Sequence, residues 1–126
     1  MSVTVGCFKQ MITKVMNSVY KELFNVGLKK CSANIFANYV VISSEFARLP
    51  SMTVMDKNYP EYEVVKLDAL INHCIKCEIP KAVNTVFPSM NIVSVFEDYD
   101  KRTEVAFTVI VFEKNIECAL EEINEV

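Results

Sequence analysis

Glycine and histidine are scarce in this sequence of 126 residues, and each scarcity removes a class of sites. The two glycines, Gly6 and Gly27, lie too far apart for a phosphate-binding loop or a dinucleotide-binding fingerprint. The single histidine, His73, has no GxSxG-type motif elsewhere in the chain to supply a nucleophile that it could activate. We therefore identify no catalytic constellation and expect a protein that is not an enzyme.

Long apolar runs and basic clusters are also lacking. No apolar run approaches the roughly 18 residues that a membrane-spanning helix needs. The chain carries 13 Lys and Arg against 16 Asp and Glu, and the pairs Lys29–Lys30 and Lys101–Arg102 stand alone. Because the resulting net charge of −3 repels a phosphate backbone, nucleic acid is not the expected partner. A nucleic-acid-binding α/β module is the third of three functional alternatives.

Signals for export are missing as well. The N-terminal segment, Met1 to Gly6, lacks the basic region and the long apolar stretch of a secretion signal. The cysteines number five, and an odd number leaves at least one thiol outside any set of pairs. Disulfides form and persist in oxidising compartments, so these observations predict reduced thiols and a cytoplasmic location.

The periodicity of the first third predicts a helix followed by a β-hairpin. Apolar residues recur at three- and four-residue steps over Phe8–Val26, with Gly27 placed as a C′ residue that ends the helix. The hairpin would pair Asn34–Phe36 with Tyr39–Ile42 through a turn at Ala37–Asn38.

The middle third predicts a loop and then an interrupted helix. Pro50–Pro60 is polar and punctuated, which is typical of a loop. A helix over Glu61–Ile79 would be stopped or kinked by Pro80, and a short second helix would cover Lys81–Phe87. A helical wheel gathers the apolar residues of the longer helix on one face: Val64, Leu67, Leu70, Ile71, Cys74 and Ile75.

The last third predicts a second hairpin and a terminal helix. The strands would be Asn91–Phe96 and Thr103–Phe112, connected by the polar segment Asp98–Arg102, and the helix would cover Asn115–Asn124. Strand pairs joined by short turns favour an antiparallel sheet with helices on one face. The whole chain, residues 1–126, is thus expected to be one α+β domain of αββαββ(α) type.

Two groups of residues have ligand chemistry in their side chains. His73, Cys74 and Cys77 could bind zinc or form a dithiol pair, which makes a metal or thiol sensor the second functional alternative. The wheel places Cys74 within the apolar face, so we interpret this group as mostly core and expect no metal and no cofactor. Glu97, Asp98 and Asp100 lack a calcium-loop spacing and are interpreted as a solvated turn.

The apolar content of the last strand exceeds what a small core needs. One set of alternating residues would suffice to face the core, yet both sets in Thr103–Phe112 are largely apolar. Unpaired strand edges and apolar patches usually mark a partner surface, so we predict a homodimer or a protein partner. The residues expected to form that surface are Val105, Phe107, Val109 and Val111.

The order of these elements and several of their strings resemble the MpsC family of small bacterial proteins. The strings that carry the likeness are Tyr39–Ile42, Ile92–Asp98 and Val105–Phe112, together with the helix interrupted at Pro80. The likeness covers about residues 8 to 117. The family's name proposes a part in a sodium-translocating system that generates membrane potential. The resemblance implies a cytoplasmic accessory subunit of such a membrane-transport system, with no known catalytic residues to carry over.

Overall fold

The four strands of the structure form one antiparallel sheet. A computed structural model describes residues 3–125, so residues 1, 2 and 126 of the expected domain lie outside it. The strands are β1 (Lys30–Phe36), β2 (Tyr39–Glu45), β3 (Ile92–Asp100) and β4 (Val105–Phe112), in the spatial order β1-β2-β4-β3. Both hairpins of the sequence prediction are present, and the β2–β4 pairing joins them into a single sheet.

Helices cover one face of this sheet. Between residues 3 and 125 they are α1 (Val5–Phe24), α2 (Pro50–Asn58), α3 (Glu61–Val86) and α4 (Ile116–Asn124). The buried side chains of α1, α3 and α4 join those of the strands in one hydrophobic cluster. The α+β fold with an antiparallel sheet and helices on one side is therefore confirmed. The residues at the centre of the hydrophobic cluster are fully buried, namely Phe8, Ile12, Met16, Val40, Ile42, Ile79, Val83, Ile110 and Ile116.

The ends of α1 show which residues start and stop it. The Thr4 side chain accepts a hydrogen bond from the Cys7 backbone N–H at 3.1 Å, as an N-cap does. The helix ends at Phe24, and Asn25 takes the left-handed conformation with φ of 60°. The expected end at Gly27 is therefore wrong, because asparagine also tolerates positive φ and terminates the helix two residues earlier.

The first hairpin has the predicted two-residue turn. Tyr39 pairs with Phe36, which leaves Ala37 and Asn38 between the strands. Ala37, and not Asn38, has positive φ, at 49°. The Asn38 amide instead donates to the Phe112 carbonyl at 3.1 Å, which ties the turn to the end of β4.

The middle of the chain differs from the prediction in two respects. The expected loop at Pro50–Pro60 is the helix α2, which Pro50 begins and in which Met52 is buried. Pro80 does not stop the helix, and no separate helix follows it, because α3 runs through Pro80 to Val86. Ile79 and Val83 are fully buried on either side of Pro80, and this packing offsets the one backbone hydrogen bond that proline cannot make.

The buried face of α3 is rotated from the predicted one. Three of the residues assigned to the apolar face, Leu67, Leu70 and Cys74, are exposed. The spacing of apolar residues before Pro80 predicted a buried stripe that includes Leu67, Leu70 and Cys74. Packing against α1 and the sheet instead buries a neighbouring stripe that continues past Pro80. That stripe consists of Val64, Ile75, Ile79 and Val83.

Candidate functional site

The face of the sheet opposite the helices has no element packed on it among the described residues. We call it the outer face, and define it by the strand residues that alternate with the core-facing ones. Strand pairing arranges them in rows that run across the sheet from β1 to β3. From one end to the other, the rows are Lys30, Glu45, Val105 and Asp100; Ser32, Ser43, Phe107 and Asp98; Asn34, Val41, Val109 and Phe96; and Phe36, Tyr39, Val111 and Ser94.

Four apolar residues lie together at the middle of the outer face, Val41, Val109, Phe96 and Phe107, with Ser43 and Asp98 on either side of Phe107. Phe107 is 53% exposed and its neighbour across β4 and β3, Phe96, is 59% exposed. Val109 lies between Val41 and Phe96 in the adjacent row. Phe96 is directly opposite Val109 and diagonal to Phe107, so the strand register places these side chains together in one patch. Exposed apolar patches of this kind are commonly interaction sites.

The four predicted interaction residues share this face. Val105, Phe107, Val109 and Val111 all point away from the helices, while the residues between them face the core. The strand is central in the sheet, and only one of its faces is covered. The sequence prediction did not include Phe96, which the pairing with Val109 brings into the same patch.

Charge and aromatic rings are separated along the strands. Lys30, Glu45 and Asp100 share the row at one end of the outer face. At the other end the rings of Phe36 and Tyr39 stack with centroids 5.5 Å apart. The outer face therefore has a polar end, an apolar centre and an aromatic end, and it carries no concentration of positive charge that would suit nucleic acid.

The histidine and cysteines of α3 are not part of the core. Cys74 and Cys77 are both exposed, so the interpretation of this group as mostly core is wrong. The Cys77 sulfur lies 3.5 Å from His73 Nε2, one helical turn away. Within residues 3–125, no three His, Cys, Asp or Glu side chains lie close enough together to hold a metal ion. The structure thus pairs two of the three candidates and does not assemble a coordination sphere.

A carboxylic acid lies within the core-facing side of β3. Glu97 accepts hydrogen bonds from the Tyr20 hydroxyl at 2.9 Å and from the Thr108 hydroxyl. Burial raises the pKa of Glu97 from 4.5 to about 7, and the charge of Asp98 adds to the shift, while the two hydroxyl donors oppose it. The expected solvated turn is wrong for this residue because β3 continues to Asp100 and turns Glu97 inward.

The half-buried side chain of Arg48 joins α2, α3 and β3. The Arg48 guanidinium donates to both carboxylate oxygens of Asp56 on α2, at 2.9 and 3.0 Å, and of Asp68 on α3, at 2.6 and 3.0 Å. It lies 5.9 Å from the centroid of the Tyr99 ring on β3. Because all of these donors and acceptors satisfy one another, we assign the cluster to stability and not to ligand binding.

A groove lies between α4 and the ends of β3 and β4. It has a volume of about 380 Å³. Its polar side chains bond to each other: Lys114 pairs with Glu122 at 3.0 Å, and Asn91 donates to Glu113 at 3.0 Å. A ligand would have to displace these partners, so the groove is a weaker candidate than the outer face.

Comparison with known proteins adds no relative. No family model, no curated protein and no solved structure matches the chain. Within residues 3–125, no helix combines the length and the apolar character that crossing a membrane requires.

Proposed function

We propose that this chain is a non-enzymatic interaction module of the MpsC type, with the outer face of its sheet as the binding surface. The observation that carries the proposal is the contiguous exposed patch around Phe107, Val109 and Phe96. Burying such side chains contributes roughly 25 cal/mol for each Å² removed from water. A patch with aromatic residues at its centre and polar residues at one end has the anatomy of a protein interface.

The site of action follows from the resemblance and not from the patch. An MpsC-type module would be a cytoplasmic accessory subunit, attached to a membrane ion-translocation system. The chain would then act by holding proteins together, so its loss would disassemble a complex without removing a chemical step.

A capture experiment with matched variants tests the proposal. Phe107→Asp puts a charge at the centre of the outer face, and Val54→Asp makes the same change on α2, where Val54 is 54% exposed. We expect the tagged wild-type chain to capture an ion-transport subunit from a detergent extract of native membranes. Phe107→Asp should lower the yield about tenfold or more, as a central interface substitution does, and Val54→Asp should leave it unchanged. Capture of no transport subunit, or equal capture by both variants, would contradict the proposal.

A further inference from the structure

At the polar end of the outer face, the edge strands β1 and β3 carry side chains of opposite charge. Strand β1 supplies Lys30 there, and β3 supplies Asp100, with Asp98 in the next row. Within residues 3–125, Lys30 and Asp98 belong to no ion pair, and Asp100 has only the Arg102 side chain at 4.0 Å. A cation at one edge and carboxylates at the other are therefore accessible to a partner molecule.

We propose that the outer face binds a second copy of this chain, about a twofold axis that lies between the two faces and runs parallel to the strands. Such an axis exchanges the two edges of the sheet and keeps each row opposite itself. It sets Lys30 of each copy against Asp100 of the other copy. It also sets Val41 against Val109 at the centre. This inference rests on the proposed function, because it places a second copy on the same surface, which is covered either by that copy or by a transport subunit.

A twofold axis perpendicular to the strands is less favourable. It would keep each strand opposite itself and exchange the polar end with the aromatic end. Glu45 would then face Tyr39, and Asp98 would face Phe96. The parallel axis also leaves Glu45 and Asp98 without a cation, since it sets them against Val105 and Ser32, but it pairs Lys30 with Asp100. The perpendicular axis sets Lys30 against Phe36 and Asp100 against Ser94, so these two charges would also lose water without gaining an opposite charge, which costs more than pairing them. The distribution of charge thus selects the axis parallel to the strands.

The size of the outer face predicts a weak dimer. Strands about 4.8 Å apart and residues that rise about 3.4 Å each give a face of roughly 19 by 26 Å. Two such faces, packed about 10 Å apart with their strands nearly aligned, bury on the order of 1,000 Å² in total. That area lies at the lower limit for specific association, so we expect a dissociation constant on the order of micromolar.

Charge reversal tests the geometry. Lys30→Asp would set two carboxylates against each other at both contacts, and Asp100→Lys would set two ammonium groups against each other. Analytical ultracentrifugation should show each variant dimerising about tenfold more weakly than the wild type. An equimolar mixture of the two variants should regain wild-type association, because each copy then meets the opposite charge. Asp100→Asn retains the acceptor for the Arg102 backbone N–H and controls for loss of that turn contact.

A second mixture separates specific pairing from general attraction. Lys57→Asp makes the same charge change on α2, away from the outer face. Its copies keep Lys30 and Asp100 and should dimerise with one another, but labelled Asp100→Lys should not join them with wild-type affinity. A dimer that neither reversal weakens, or a mixture without recovery, would overturn the inference. So would a strictly monomeric wild type at 200 micromolar, a concentration on the order of a hundred times the expected dissociation constant. If that monomer still captured a transport subunit through Phe107, the proposed function would stand without the dimer. If the wild type dimerised but captured no transport subunit, the dimer would stand and the proposed function would fail.

Discussion

Replacing Arg48 with alanine should lower the free energy of unfolding by roughly 2–4 kcal/mol. The Arg48 side chain is 11% exposed and makes four hydrogen bonds to Asp56 and Asp68. Its removal leaves two carboxylates that repel each other in a poorly hydrated place. Lys101, which also donates to Asp56, compensates only in part because it reaches Asp56 and not Asp68.

Urea unfolding at neutral pH measures this effect. The matched control is Lys81→Ala, which removes an exposed cation that pairs with Glu78 one turn away at 3.3 Å. Exposed helical pairs of this kind are worth about 0.3–0.5 kcal/mol, so the control should stay close to the wild type. If Arg48→Ala were as stable as the control, the Arg48 cluster would not hold α2 to α3.

Replacing Glu97 with glutamine should stabilise the protein above neutral pH. The folded-state pKa of Glu97 is raised from 4.5 to about 7, so the unfolded chain loses this proton first as the pH rises. The wild type therefore loses stability between about pH 4.5 and 7, and above that range the charged carboxylate remains in its buried place. The full difference is roughly 3 kcal/mol, because each pKa unit corresponds to about 1.4 kcal/mol.

The free energy of unfolding, measured for both proteins across pH, tests the direction and the size of this difference. Glutamine can still accept the hydrogen bond from Tyr20 and donate one to Thr108, so Glu97→Gln should match the wild type below pH 4.5 and exceed it at pH 8. Glu22→Gln makes the same change at an exposed position of α1, and this control should leave the pH profile as it is in the wild type. A wild type as stable as Glu97→Gln at pH 8 would show that Glu97 ionises without loss of stability.

The strands were predictable because their signals are local. Tyr39–Ile42 and the alternation in Val105–Phe112 satisfy both β-propensity and period, and the pairing of neighbouring strands needs only short turns. The prediction of a single sheet implied a pairing between the two hairpins, but no sequence segment indicated that β2 and β4 would form it. Phe96 was missed as a surface residue because the register of β3 against β4, which the sequence around it does not specify, places it beside Val109 on the outer face.

The helices of the middle third were less predictable because tertiary contacts decide them. Nothing local in Pro50–Pro60 reveals that Arg48 will bond to Asp56, and this contact and the burial of Met52 hold α2 in place. The choice of buried stripe on α3 likewise depends on α1 and β3, which contact it. Glu97 illustrates the same limit, since a strand longer by four residues turns a predicted surface carboxylate into a buried one.

If a protein covers the outer face in the cell, a photoactivatable side chain placed on that face detects it directly. Benzoylphenylalanine can replace Phe107 with an aromatic ring in the same place, and Tyr59, exposed at the end of α2, provides the matched control position. After illumination of native cells, position 107 should form covalent adducts with a second copy or with another protein, and position 59 should form few. Equal adducts at the two positions, or none at position 107, would contradict the account.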